Sequence, residues 1–209
     1  MLNSSDKDLI EAGIDEAGRG CLCGRVYVAA VILPNSYEDN DELYLQINDS
    51  KKLSKKKRET LKEYIEKIAI DYAIDWAERE EIDNCNILQA TINSMHRCIN
   101  KLKKQPENIL IDGNYFRIYK DQNNIIIPHQ LVKGGDTKFR NIAAASILAK
   151  VYRDNYIEDI VNKDEDLKKY GWLTNKGYGT KEHMLAIKKY GITKYHRLSY
   201  GPCKTIQHN

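Results

Sequence analysis

The order of apolar patterns along this 209-residue chain predicts an α/β layered fold, a sheet with helices packed on it. Three observations carry that prediction. Short apolar or alternating runs at 9–17, 24–33, 69–77, 109–111 and 125–132 have the length and composition of strands. Two longer segments carry apolar residues at helical spacing, and a third begins in a run of alanines. The strands and helices interleave, an order that gives a sheet covered by helices. From about residue 161 only helical or connecting patterns remain, so residues 161–209 are expected to form a C-terminal helical extension to a domain spanning 1–160.

Residues 9–17 and 24–33 read as the two strands of a hairpin, joined by the Gly18–Gly24 turn and closed by Pro34. Ser54 is placed to cap a helix whose inner face is Leu61, Tyr64, Ile65 and Ile68. Residues 69–77 form the third strand. Leu88, Ile92, Met95, Ile99 and Leu102 share one face of a second helix, which ends before Pro106. Ile109-Leu110-Ile111 is a buried strand that ends in Asp112-Gly113, an acid at the strand tip where α/β sheets present their sites. Ile125 to Val132 gives another short strand, followed by Lys133-Gly134-Gly135-Asp136. A helix runs from Phe139 to about Ile160, and Ala143, Ala144 and Ala145 let its backbone lie close to the neighbouring layer. Lys163 to Tyr170 is a polar helix or connector. Thr180 caps a short helix that reaches Tyr190 and stops at Gly191.

Composition narrows the function. Apolar residues at 42% and charged residues at 30% describe an ordinary globular chain. No run approaches the roughly 18 apolar residues of a membrane span, and the polar, acidic stretch Met1 to Glu11 is no signal peptide. Five cysteines without framework spacing are expected as reduced thiols in a cytoplasm. Cys21-x-Cys23 lacks a second ligand pair, which argues against zinc. A net charge of +3 permits a nucleic-acid partner without requiring one. Lys51, Lys52, Lys55, Lys56, Lys57 and Arg58 form a basic block, which reads equally well as a solvated helix start.

The chemistry concentrates in Gly13–Gly20, where Asp15 and Glu16 precede a Gly18-Arg19-Gly20 turn. Carboxylates bind hard divalent cations. A Gly-Arg-Gly turn offers bare amides and a guanidinium suited to a phosphodiester backbone. Turn chemistry alone also accounts for acids beside glycines. Asp112 and Asp136 stand at similar places, a strand tip and a glycine turn. Four converging carboxylates repel unless cations lie between them, and two Mg²⁺ or Mn²⁺ ions would answer that need in phosphodiester hydrolysis. Consecutive strand residues point to opposite faces, so Glu16 joins Asp15 only if the strand twists or ends there. The combination points to a metal-dependent nuclease.

Gly13–Gly20 (GIDEAGRG), Asp49–Ser54 (DSKKLS), Ile111-Asp112-Gly113, Lys133–Lys150 (KGGDTKFRNIAAASILAK), Arg153-Asp154 and Lys176–His183 (KGYGTKEH) resemble the motifs of the ribonuclease HII family, in its bacterial form and in family order. The resemblance implies an RNase H-like fold, a mixed sheet flanked by helices, with 1–160 as catalytic domain and 161–209 contributing to substrate binding. It implies hydrolysis of RNA in RNA–DNA hybrids and nicking 5′ of single ribonucleotides in duplex DNA. Two divalent ions, Mn²⁺ or Mg²⁺, would act there and leave 3′-hydroxyl and 5′-phosphate ends. The family's metal-binding and catalytic acids match Asp15, Glu16, Asp112 and Asp136. Its reader of the ribose 2′-OH matches Gly18, Arg19 and Gly20, its junction-stacking tyrosine matches Tyr178, and Lys51 and Lys52 become phosphate contacts. A cytoplasmic monomer is expected, with hybrid and ribonucleotide-containing duplex as partners and no membrane.

Other readings stand beside this one. Without the resemblance Tyr178 is a packing or surface residue, His183 and His196 are hydrogen-bonded structural histidines, and Arg153-Asp154 is a structural ion pair. The related ribonuclease HIII carries an additional N-terminal domain, for which the 14 residues before Asp15 leave no room. A non-catalytic hybrid-binding protein is disfavoured because all four acids are present. The family commonly has prolines and a small residue where this chain has Cys21, Cys23 and Arg25, and a histidine at Asn175. The tail Gly201–Asn209 shows no aromatic sliding-clamp motif.

Overall fold

Strands β1 (Glu11–Ala17) and β2 (Val26–Ile32) are buried on both faces along almost their whole length, as strands covered by helices on two sides must be. In the computed structural model, which describes residues 8–35 and 41–205, they form the centre of a five-stranded mixed sheet. With β3 (Asp71–Ala77), β4 (Asn108–Asp112) and β5 (His129–Val132) the strand order is β3-β2-β1-β4-β5. β3, β2 and β1 are antiparallel neighbours, whereas β1, β4 and β5 run parallel. Residues 1–7 and 206–209, on which the signal-peptide and clamp-motif readings partly rest, lie outside the described residues.

Helices α1 (Glu42–Leu45), α2 (Lys55–Ile68), α3 (Arg79–Lys101) and α4 (Arg140–Lys163) clothe this sheet. Met95, Cys98 and Ile99 of α3 pack on Ile14, Val28, Ala30 and Ile111. The opposite face, with Ala29 and Val31, meets Leu61 and Ile65 of α2 and the Ala143–Ala145 run of α4. The alanines do admit a close approach. A Cβ on Gly13 would lie 2.2 Å from the backbone carbon of Asn141, so α4 crosses β1 where only glycine fits. Asn141 fastens the crossing, accepting from Leu33 N (3.0 Å) and donating to Glu11 O (3.0 Å).

The expected caps are present: Ser54 Oγ accepts from Lys57 N, and Thr180 Oγ1 from His183 N. Two expectations need correction, and one helix was not foreseen. α3 begins at Arg79, and at Asn86 (φ 68°) its path kinks while the Asn86 side chain recaps Leu88 and Gln89. Leu88, in the first turn after the kink, is 36% exposed and does not join the core that Met95 and Ile99 reach. β5 starts at His129 rather than Ile125: Ile125 is folded back on Asp121, whose Oδ1 accepts from Asn123 N and Ile125 N. Finally, Asp41 caps the unforeseen α1 through Leu43 N and Tyr44 N.

Beyond α4 come α5 (Trp172–Asn175), α6 (Lys181–Tyr190) and α7 (Gly201–Lys204). Leu167, Tyr170, Trp172, Ile187 and Cys203 pack with Ile157 and Val161 of α4 and with Leu22 and Cys23 of the β1–β2 loop. At its centre Trp172 Nε1 donates to His183 Nε2 (2.9 Å), and an indole N–H has no other role. His183 Nε2 is therefore unprotonated, Nδ1 carries the proton toward Tyr178 O (2.9 Å), and His196 Nε2 donates to His183 (3.1 Å). His196 Nδ1 then accepts from Thr193 N. The structural reading of both histidines holds: they are buried and saturated.

Burial holds both histidines below the usual histidine pKa, His196 at about 3, with His183 pushing the same way. The unfolded chain protonates His196 below about pH 6.5 and the folded protein does not until far lower, so stability present above that pH is lost on acidification, with His183 contributing in the same direction. His196 removes about 1.4 kcal/mol per pH unit there. Thermal unfolding from pH 7 to pH 5 should show this fall, and His196→Gln should flatten it. An unchanged slope would mean that His196 is protonated in the fold.

Candidate active site

Register decides which acids meet. Gly13 pairs with Leu110 across the parallel β1–β4 ladder, and both face α4. Asp15 and Asp112, each two residues further on, leave from that same face at the C-terminal ends of the strands. Asp136 arrives from the short 3₁₀ turn Gly135–Thr137 after β5, entered through Gly134 in a left-handed conformation (φ 63°). Gly135 N donates to Asp112 Oδ1 (2.9 Å), tying that turn to the strand tip. Each of Asp15, Asp112 and Asp136 offers a carboxylate oxygen within 4.8 Å of the others.

Glu16 is the exception among the four acids. β1 stays regular through Ala17, so Glu16, paired with Val28, leaves from the α3 side of the sheet. It lines the same cavity, of about 220 Å³, but its Oε1 is paired with Arg19 Nη1 at 3.2 Å and stands outside the close trio.

Burial pushes the Asp15 carboxyl well above the usual carboxylate range, and Glu16 and Asp112 push it further, against hydrogen bonds from Ser146 and from Glu16 N. Asp136 is raised by burial and by Asp112, with Lys51 opposing. Glu16 is raised by burial despite Arg19. Close carboxylates that resist joint ionisation are the donor set that a hard divalent cation satisfies, so the residues fit such an ion.

Around the acids, Gly18 takes a φ of 96° and Cys21 N donates to Gly18 O (3.3 Å). Proline at 21 could not make that bond, so the loop exchanges one restraint for another. Arg197 Nη1 and Tyr200 Oη both donate to Arg19 O, which fixes the turn from beneath. Tyr178 stands beside Gly20, 43% exposed, between Gly177 and Gly179. Asn175, where histidine is common, accepts from Gly177 N through Oδ1 (2.8 Å) and so shapes the turn into Tyr178.

Lys51 Nζ lies 3.7 Å from Asp136 Oδ2 with its side chain 79% exposed, at the cavity mouth. Lys52 instead pairs with Asp49 (3.7 Å) and does not line the cavity. Sequence reading missed Ser50, Ser146 and Lys150, which also line it. Ser50 and Ser146 share a hydrogen bond of 2.9 Å beneath Asp15, and an uncharged pair 96 positions apart leaves no local signal. Lys150 carried one, at an i, i+4 spacing to Asp154. A larger cavity of about 740 Å³ holds none of the acids, and its Arg25 is bound to Glu78 (2.6 Å) and stacked on Trp76 and Tyr156.

A mixed sheet that gathers close carboxylates at and just beyond its parallel strand ends, beside a glycine turn and a basic rim, defines a metal-dependent nuclease of the ribonuclease H class. The ribonuclease HII family model matches residues 12–203. Ribonuclease HII of Bacteroides thetaiotaomicron is 50% identical over 200 residues, 96% of this chain and 94% of that protein. Among solved structures, ribonuclease H2 of Pyrococcus horikoshii superposes with a TM-score of 0.76 at 24% identity, covering 95% of this chain and 97% of that one. Bst-RNase HIII in complex with Mn²⁺ gives 0.70 at 18%, covering 100% of this chain and 71% of that one. The chain belongs to the ribonuclease HII family. It is a divalent-metal-dependent endonuclease acting on RNA–DNA substrates, and none of its described helices is long and apolar enough to cross a membrane.

Proposed function

We propose that this site nicks duplex DNA on the 5′ side of a lone ribonucleotide, as well as cutting RNA within hybrids, with Asp15, Glu16, Asp112 and Asp136 as the metal-binding acids. The observation that carries the reading is the trio of carboxylate oxygens within 4.8 Å, set against a Gly-Arg-Gly turn and an exposed tyrosine. When bound, two Mg²⁺ or Mn²⁺ ions supply activation of the attacking water and neutralisation of the leaving oxygen. Mn²⁺ accompanies the Bst-RNase HIII neighbour.

The chain's own residues do the rest. Gly18, Arg19 and Gly20 bring backbone close to the ribose 2′-OH, the one group that separates RNA from DNA at this point. Tyr178 lies against the next sugar and favours deoxyribose there. Lys51 contacts phosphate, a contact that positions without reading sequence. For Lys52, held by Asp49, the support is family resemblance and the basic block alone. Residues 161–209 take part in substrate binding through Tyr178 and through the hold of Arg197 on Arg19. Five free thiols fit a monomer working in the cytoplasm.

A duplex carrying one ribonucleotide, incubated with and without divalent metal, tests the reading. The expected products are a 3′-hydroxyl on the preceding deoxynucleotide and a 5′-phosphate on the ribonucleotide, because water attacks phosphorus and the 3′ oxygen leaves. A 2′,3′-cyclic phosphate would sink it, since that product requires the 2′-OH to be the nucleophile.

A further inference from the structure

Arg153 lies in the middle of α4, wholly buried, and none of its three guanidinium nitrogens has a hydrogen-bond partner among the described residues. Buried donors are ordinarily satisfied, and a charged one most of all. Its charge partner is Asp154 Oδ1 at 3.5 Å, an oxygen already engaged by Lys150 Nζ at 2.9 Å. Arg197, equally buried, leaves one nitrogen, Nη2, without a partner, but through Nε and Nη1 it donates to Gly24 O, Arg19 O and Tyr200 Oη, as a structural arginine does. Arg153 ties down no such carbonyl.

What surrounds Arg153 gives it a role. Its Nε is 2.8 Å from the place where a Cβ on Gly18 would stand, and its Nη2 is 3.3 Å from that place on Gly177. Gly18 thus opens directly onto Arg153, and Gly177, in a segment about 160 residues away, opens onto Cys23 Sγ (2.6 Å) with the Arg153 guanidinium next nearest. Those segments are joined above it by the Leu22 N to Gly177 O bond (2.8 Å) and by the Cys21–Tyr178 bridge. The guanidinium carbon lies 5.7 Å from the centre of the Tyr178 ring, and Lys150 Nζ lies 5.8 Å from it. A flat cation fits under both segments and under an aromatic ring, where its charge is met by the ring and by Asp154.

We propose that Arg153 is a positioning residue that sets the Tyr178 ring against the Gly18 turn, and so sets how well the enzyme distinguishes a lone ribonucleotide from continuous RNA. The proposal rests on the junction-reading role given above to Tyr178. Its mark is that it acts through Tyr178, which a merely structural arginine would not do.

The test compares kcat/KM on a duplex with one ribonucleotide and on a uniform RNA–DNA hybrid, for wild type, Tyr178→Ala, Tyr178→Phe, Arg153→Met, Arg153→Lys and the Arg153→Met/Tyr178→Ala double variant. Tyr178→Ala should cut the single-ribonucleotide rate, relative to the hybrid rate, by about tenfold, while Tyr178→Phe keeps the ring and most of the ratio. Arg153→Met should lower the same ratio by about tenfold and Arg153→Lys by about threefold, while the double variant should fall no more than about twofold below Tyr178→Ala alone. Thermal unfolding reports whether each variant is folded. If Arg153→Met does not fold, Arg153→Lys decides: a wild-type ratio in that variant overturns the proposal. Equal losses on both substrates, or additive losses in the double variant, also overturn it. A wild-type ratio in Tyr178→Ala removes the junction-reading role itself. A lowered ratio there with an unchanged one in Arg153→Met removes only the part assigned to Arg153.

Discussion

Asp112→Asn is expected to lower turnover on a ribonucleotide-containing duplex by roughly a thousandfold, equivalent to about 4 kcal/mol of transition-state stabilisation. Asp112 stands on β4, between the strands or turns that bring Asp15 and Asp136, and one of its oxygens is already held by Gly135 N. Asparagine preserves that bond and the shape but removes the charge that a divalent cation needs. Single-turnover cleavage should therefore collapse while duplex binding in Ca²⁺ persists. Asp15→Asn should be as severe, and Asp136→Asn partly recoverable at high Mn²⁺. Wild-type rates in all three would place the chemistry elsewhere. Asp15→Asn has a second expected result. The folded protein keeps the Asp15 proton at pH values where the unfolded chain has lost it, so that stability is full below about pH 3.9 and is lost as pH rises through the raised folded pKa. In chelator at pH 7.5, Asp15→Asn should accordingly melt above wild type. A lower melting temperature would mean that the acids are not strained in the metal-free enzyme.

Gly13→Ala is expected to destabilise the protein by about 3 kcal/mol or more, through overpacking that rotamer changes cannot relieve. The added carbon would sit 2.2 Å from Asn141 C and 2.4 Å from Ile142 N, which are backbone atoms of α4 and not the ends of flexible chains. For a chain of this size that corresponds to a fall in Tm of about 6–12 °C. Activity should drop as well, since Asp15 leaves the same face of β1 two residues on. A Tm within roughly 2 °C of wild type would show that α4 can lift from the strand freely.

The two results bear on what the sequence makes legible. The alanines at 143–145 and the acids at strand ends were readable because each is a local requirement of close packing or of a crevice, whereas the need for glycine at 13 shows only where α4 crosses β1. Glu16 was readable only as a condition: period-two geometry said that it joins Asp15 if the strand ends there, and β1 continues regularly through Ala17. The late start of β5 was hidden because Ile125–Ile127 has strand composition, while the competing turn is made by one side-chain oxygen of Asp121. The kink at Asn86 escaped for a similar reason, a single recapping side chain inside a continuous helical pattern. The Ser50–Ser146 pair and the histidine pair depend on distant partners, and nothing in either segment announces them. Arg153 read as half of a structural ion pair, and its missing hydrogen bonds are visible only in three dimensions.

The hold on Arg19 O by Arg197 and Tyr200, reached across 178 and 181 positions, has a consequence for how the protein is made. Synthesis runs from the N-terminus, so the turn is laid down well before its two anchors. A chain grown only as far as Tyr178 thus carries its acids and its Gly-Arg-Gly turn without the two donors that hold Arg19 O. Stalled chains that end before Arg197 should leave a ribonucleotide-containing duplex uncut, and cleavage by them would show that the turn sets its own shape.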